Sequence, residues 1–436
     1  MEKAGLLDIA LGPLKWLERA RGRKRLALLW LYAAVLAVGG VLGWRSLSLW
    51  RLPNPGEPFD LARLGTVDLP DADNAMTYYR EATRLIPAAP KNDPIAARDW
   101  KVTDWSAVDP IIRQFVADHI LALDPFLRGA DCRDSLLIQP RDLAVSSPLE
   151  PAFRLGEVVR LGILEASRRE KSGDLEGAWR IYRAALRSSR HVGMHGGSMQ
   201  RFCGLGLLRR AYPTVARWAD LPGVTPAMLR RAIVDVEGCR AMTPPYSEAV
   251  RGDYFMTRQA LGRPETWKNF ETSGPEGEAV WLNDIQAAPG VRRFLRREPE
   301  RSVRALNLII AGQLAQCDRP RALRPRRVSQ QFSIYERDAE TPPAVRSVRP
   351  QDLVAWAEGS ALSSIGVSNS LVLDRVDSEA SVFDELAIKM AERAYEIDHG
   401  KPARTYADLL GPYLTALPDG IEPDSPTVAG SDPSPN

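Results

Sequence analysis

Residues 151–191, PAFRLGEVVRLGILEASRREKSGDLEGAWRIYRAALRSSRH, contain two helical stripes separated by one turn signal. Phe153, Leu155, Val158, Val159, Leu161 and Leu164 recur at helical spacing. After the KSGD turn at Lys171 to Asp174, Ala178, Ile181, Tyr182, Ala185 and Leu186 fall at i, i+3, i+4, i+7 and i+8. A 3.6-residue period places each set on one face, and so short a connection makes the two helices antiparallel neighbours. The stretch reads as a helical hairpin with Tyr182 inside it. One hairpin cannot bury its own apolar faces, so neighbouring helices must cover it.

Those neighbours are legible on both sides. Upstream, Ala75, Tyr78, Tyr79, Ala82, Leu85 and Ile86 predict a helix over 74–86, closed by Pro87. Asp109-Pro110 is an N-cap and N1 pair for a helix to about Leu127, with Ile111, Ile112, Phe115, Ile120 and Leu123 expected inside. Downstream, helices are expected over 198–220 with a bend at Pro213, from Thr225-Pro226 to Val236, over 246–261, over 298–316, and over 353–398 with a break near Gly366. Residues 262–297 and 318–350 are looser, and the first is expected to form an Ω-like loop. The class is mainly α: a helical array over 71–350, a C-terminal helical segment over 351–420 and a disordered tail over 421–436.

Residues 26–44, LALLWLYAAVLAVGGVLGW, contain no charged side chain and are long enough for one crossing of a ~30 Å hydrocarbon core. Lys3, Lys15, Arg19, Arg21, Arg23, Lys24 and Arg25 precede this run, whereas Arg45 and Arg51 follow it. Positive-inside counting therefore places residues 1–25, a basic and amphipathic segment, in the cytoplasm. The rest is expected outside it, as the periplasmic part of a single-pass inner-membrane protein. A cleaved signal, with Ala37-Val38-Gly39 as the processing site, is the competing reading. Pro53, Pro55, Pro58 and Pro70 make 45–70 read as a linker lifting the body off the membrane.

The 58 basic and 55 acidic residues nearly cancel, so no global field argues for nucleic acid. Cys132, Cys203, Cys239 and Cys317 lie too far apart for a C-x-x-C motif. Outside the cytoplasm they allow two disulfides in three pairings; as four small buried hydrophobes they need none.

The segment RHVGMHGGSMQRFCGLG is the most site-like. His191 and His195 stand four apart, with Met194, Met199 and Cys203 nearby, a set that suits a soft metal if one helix face holds it. The glutamate of H-E-x-x-H is missing, and Gly193, Gly196 and Gly197 signal a helix end, so the competing reading is a glycine turn with partly exposed histidines. Glu396 and His399 have a di-iron spacing without the second motif that chemistry needs. His399 before Gly400 reads as a cation at a helix C-terminus. Asp118-His119 has no partner motif. There is no G-x-S-x-G, no S-x-x-K and no Walker loop, and Gly204-Leu205-Gly206 lacks a third glycine. The basic runs from Arg292 to Arg297 and from Arg319 to Arg327 suit anionic envelope polymers or lipid headgroups, and lack the interleaved aromatics of nucleic-acid binders.

Three resemblances follow from these residues. The 151–191 hairpin resembles a tetratricopeptide unit, whose second helix follows a G-D turn with small and aromatic residues at this spacing. Ala387 to Gly420 resembles the helix-to-loop segment of type II secretion pseudopilins and related pilin-like proteins at Tyr395, Asp398, Gly400, Leu409, Leu410, Tyr413, Leu414 and Pro418. The order of segments as a whole is similar to uncharacterised membrane-anchored helical proteins of planctomycete-type bacteria, which implies architecture only. Together these imply a scaffold or envelope-assembly factor holding a protein partner, with no cofactor. An envelope hydrolase or metal enzyme around His191 and His195 is the alternative, and a binder of anionic surfaces through Arg292 to Arg327 is a second.

Overall fold

The computed structural model describes residues 21–47, 49, 52–87, 105–263, 297–365, 370–418 and 420–427. It is mainly helical. The hairpin forms as its pattern dictates: α6 is Glu150–Lys171 and α7 is Leu175–His191. Gly173 turns the chain at φ +83°, where a side chain is strained, and the Asp174 carboxylate accepts from the Gly177 amide at 2.9 Å to start α7. Tyr182 is fully buried and its hydroxyl donates to Glu170 Oε1 at 2.8 Å. Phe153 departs from its stripe and is exposed. It lies in the first turn of α6, where Arg154 fastens that end by donating to the Thr83 carbonyl.

Numbered from the N-terminus, the elements before the hairpin are α1 (Arg23–Leu47), α2 (Leu61–Leu64), α3 (Ala75–Arg84), α4 (Pro110–His119) and α5 (Leu123–Asp131). Asn74 caps α3 and Asp109 caps α4, each through its side-chain oxygen. The single helix expected to Leu127 is instead broken by a 3₁₀ turn at Ile120–Ala122, which re-aims the chain so that Leu123, Phe126 and Ala130 enter the core. Ile111 is consequently exposed, and Ile112 and Val116 are the buried pair of α4.

After the hairpin come α8 (Ser198–Trp218, with Pro213 inside it), α9 (Pro226–Ala241), α10 (Tyr246–Leu261) and α11 (Glu298–Leu314). The stretch read as loose over 318–350 holds a two-stranded antiparallel ribbon, β1 (Arg327–Ser329) and β2 (Ile334–Tyr335), and the short α12 (Pro343–Arg346). Then α13 (Pro350–Glu358), α14 (Leu362–Ile365) and α15 (Ser370–His399) follow. The expected Ω-like loop falls almost entirely on 264–296, outside the described residues.

The apolar side chains form two cores. The main one joins α3–α9 to the second half of α15 and to Ala403, Leu409, Tyr413 and Leu414. The second joins Leu52 to α10, α11, β2 and α12–α14. Gly204 permits the close crossing of α7 and α8, since a Cβ there would lie 2.3 Å from the Ser189 carbonyl oxygen.

Two readings are corrected. Residues 52–70 are not a free linker: Leu52 is 1% exposed within the second core, Arg304 donates to its carbonyl at 3.0 Å, and Asn307 donates to that of Gly56 at 2.6 Å. Phe59 packs edge-on against Tyr254 and Phe255, and the Val67 amide donates to Gln139. Prolines here set an extended path that side chains of the body then capture. The tail, expected to be disordered from 421, is ordered as far as Thr427. The amides of Tyr406 and Ala407 donate to the carbonyls of Ser425 and Pro423, and the buried Thr427 hydroxyl donates to the Ala403 carbonyl at 2.7 Å. Residues 428–436 lie outside the described residues.

Within α1, Arg23–Gly43 has a mean hydropathy of 2.2 and none of it is buried against the body. This one N-terminal helix is long and apolar enough to span a membrane.

Tyr182→Ala is expected to cost about 3–5 kcal/mol in denaturant unfolding, the range for truncating a buried large aromatic; a loss below about 1 kcal/mol would refute its place in the core. A chain ending at Gly400 loses Leu409, Tyr413, Leu414 and the 421–427 strap, and should melt lower and scatter more light than the full chain, because the faces of α9 and α15 they cover become exposed.

Candidate functional site

At the turn between α7 and α8, His191 and His195 both reach the 132–134 loop but are engaged by different groups there. His191 is the last residue of α7 and is 1% exposed. Its Nε2 lies 3.2 Å from the Cys132 carbonyl, which only accepts, so Nε2 carries the proton and Nδ1 accepts from the Tyr79 hydroxyl at 2.7 Å. Burial, reinforced by the Arg187 charge, lowers its pKa to about 3. His191 is thus a neutral imidazole with both nitrogens occupied, and the expectation of a partly exposed ring fails for it.

His195 stands in the left-handed region at φ 54°. Its amide donates to Glu248 Oε1. Its Nε2 lies 2.9 and 3.1 Å from the two Asp134 oxygens and its Nδ1 lies 3.5 Å from Glu248. Burial opposes protonation, but the hydrogen bond to Asp134 and the charges of Glu248 and Asp134 outweigh it, so the pKa is raised. The Asp134 carboxyl is lowered, chiefly by that same hydrogen bond. His195 therefore stitches the 132–136 loop to the start of α10, and both carboxylates favour its protonated form.

Met194 is buried, Met199 is half exposed, and Cys203 is partly buried within α8 with its thiol pKa raised by burial. Among the described residues no three His, Cys, Asp or Glu side chains converge as metal ligands. The four cysteines are unpaired; burial pushes the Cys239 and Cys317 thiols up to about 12.

Beneath the turn lies a polar seam that the motif search missed. Arg190 and Arg201, both buried, share the buried carboxylate of Glu379 on α15: Arg190 pairs with Oε1, and Arg201 lies 3.3 Å from Oε2. Arg201 also donates to the Pro244 carbonyl, and Arg190 stacks over Phe383 at 4.9 Å. Burial lowers the Arg190 pKa and Glu379 partly restores it. Asp253 accepts from the amide of Ser198 at 2.9 Å and from its hydroxyl, which also meets the Tyr246 hydroxyl at 3.1 Å. A signal for Arg190 was present: it continues the stripe four residues after Leu186.

The other sequence candidates are locally satisfied. His399 Nδ1 donates to the Tyr395 carbonyl at 3.0 Å with its ring stacked on Tyr395, Glu396 pairs with Arg393, and Gly400 follows at φ +65° as a helix-end glycine. His119 donates to the Phe115 carbonyl and Asp118 accepts from Gln114. Gly204-Leu205-Gly206 lies inside α8. Of the basic runs, Arg292 to Arg296 lie outside the described residues. Arg297 pairs with Glu300, Arg319 with Asp338, and Arg324 donates to the Arg319 and Cys317 carbonyls. Several of these guanidiniums are thus held internally rather than presented as one free face.

An open cleft of about 210 Å³ lies between α7 and α9. Its floor is Trp179 and Trp218, with ring centroids 4.7 Å apart. The indole N–H of Trp179 donates to Asp235 at 2.8 Å and that of Trp218 to the Leu175 carbonyl at 3.1 Å. Arg180, Arg183, Arg231, Glu176 and Met228 form the rim. Arg183 pairs with Asp131 and Asp235, and Arg231 with Glu176. Trp218 is fully buried and Trp179 nearly so, so the exposed part of the cleft is its rim of charged side chains.

No protein-family model, curated protein or solved structure matches this chain.

Two outcomes test the seam. Glu379→Gln leaves two buried guanidiniums without their anion and should cost about 3–5 kcal/mol, as breaking a buried pair does; chemical unfolding measures it. For His195→Gln the sign follows from linkage. The raised His195 pKa stabilises the fold fully below its unfolded value of 6.5 and loses that contribution as pH rises through the folded value. The lowered Asp134 pKa stabilises above 3.8 and loses its contribution as pH falls through the folded value. The melting-point difference between wild type and variant should therefore be largest between about pH 4 and 6.5 and shrink toward pH 9. A difference that is flat with pH would refute the ion pair.

Proposed function

We propose that the protein is a single-pass membrane-anchored scaffold whose helical body, tetratricopeptide-like in its α6–α7 hairpin, binds a protein partner on the cleft between α7 and α9. The observation that carries this is α1: its apolar side chains, Trp30 at 72% and Leu36 at 70% exposure among them, are left uncovered by the described residues along the length of the helix. Leaving so continuous an apolar rod in water is unfavourable, and a hydrocarbon core of matching thickness removes the cost. The basic flank before α1 supports a cytoplasmic N-terminus and a body outside the cytoplasm. The cleft supports the binding role, because its rim presents the exposed arginines Arg180 and Arg231, and arginine is a frequent interface anchor. The pilin-like segment is read as a structural cap serving this body. The metal-enzyme alternative gains no support from His191, whose free lone pair is spent on Tyr79, or from His195, which is held between carboxylates.

A reporter active only outside the cytoplasm, fused after Asp220, should be active, and the full chain should resist alkaline extraction from membranes. A cytoplasmic-type readout would overturn the topology. Arg180→Glu with Arg231→Glu should leave the melting temperature within a few degrees of wild type, since these side chains are exposed, and abolish retention of partners held by the wild-type body. Unchanged retention would remove the cleft from the proposal.

A further inference from the structure

From the attachment of residues 49–56, we infer that the body rests directly on the phospholipid headgroup layer, with the Leu52–Gly56 segment and the N-terminal half of α11 facing the lipid. This rests on the anchoring proposed for α1 and adds the orientation of everything beyond it. The apolar span of α1 ends at Gly43, and the helix continues to Leu47, about 6 Å further at 1.5 Å per residue. That rise is about the depth of a headgroup layer, so Leu47 already lies at the surface of the bilayer. Leu52, five residues later, is 1% exposed in the second core. Five residues span about 18 Å at full extension, so Leu52 and the groups that hold it stay within that distance of the headgroups.

The groups that hold it are fixed. Leu52 lies in the second core together with the buried face of α11, its carbonyl accepts from Arg304, and the Gly56 carbonyl accepts from Asn307. The chain is thereby fastened along one turn of a rigid helix, and it leaves no length for a stalk. Charge does not supply the contact: Arg297 and Arg304 flank Glu300, and Arg258 pairs with Glu57, so opposite signs alternate on this face. The tether does, by raising the effective concentration of this face at the lipid surface. The cleft between α7 and α9 belongs to the main core, built on α8 and α15 rather than on α11.

The test uses the full chain reconstituted in phosphatidylcholine vesicles, with a photocrosslinking amino acid at Asn54 or Glu300 on the inferred face, or at Glu176 or Arg231 on the cleft rim. Lipid adducts at Asn54 and Glu300 are expected to exceed those at Glu176 and Arg231 by at least fivefold. Inserting twenty Gly/Ser residues between Ser48 and Leu49 should abolish that excess while the protein still floats with the vesicles. Equal adducts at all four positions in floating protein, or an excess that survives the insertion, overturn the inferred face and leave the anchoring intact. Protein that does not float overturns the anchoring and the face with it.

Discussion

One carboxylate, that of Glu379, holds two buried guanidiniums from consecutive helices, and through it α15, which packs on α8 and α9, is also tied to the end of α7. Two cations at that depth are costly unless compensated, and the compensation comes from a residue 178 positions after Arg201 in sequence. The interaction therefore selects one placement of α15 among the many that an apolar helix face alone would accept. Arg201 extends the selection by capturing the Pro244 carbonyl, which fixes the entry to α10.

The turn above that carboxylate joins the two cores. Gly252 of α10 meets the turn so closely that a Cβ would lie 2.5 Å from the Gly196 carbonyl oxygen, and Asp253 caps the start of α8. His195 and Glu248 complete the seam on its wetter side. The carboxylates of Glu379, Asp253 and Glu248 are each answered by specific partners, so the seam favours one register between the cores where a purely apolar interface would permit sliding. Its histidines join elements: His191 bridges the Tyr79 hydroxyl and the Cys132 carbonyl, and His195 meets Asp134 and Glu248.

The parts of the fold that were legible in the sequence are those governed by local periodicity and capping. The α6–α7 hairpin, the Asp109-Pro110 and Thr225-Pro226 starts and the 246–261 helix follow from residues a few positions apart. What was not legible depends on distant partners. The capture of Leu52 and Gly56 needs Arg304 and Asn307, some 250 residues on; the 421–427 strap needs carbonyl and amide partners in an irregular loop. Neither leaves a periodic trace, and proline-rich composition suggests freedom that the tertiary hydrogen bonds remove. The seam was half legible: Arg190 sits on the apolar stripe, but nothing near it in the chain announces Glu379. For the cleft, Trp179 and Trp218 lie on separate helices, and only the packing of α8 along α7 brings them into one place.

The main core begins with Ala75 and is completed by Leu414, fastened by the strap to Thr427. During synthesis, α3 to α9 emerge long before the residues that seal them, and contacts of such sequence separation are slow to form. A chain in that state keeps apolar faces open until the residues from Met242 to Leu414 have been made, which favours holding factors over rapid cotranslational closure. The late arrival of the strap thus acts as a timer: the body becomes a finished object only after synthesis has delivered nearly all of it.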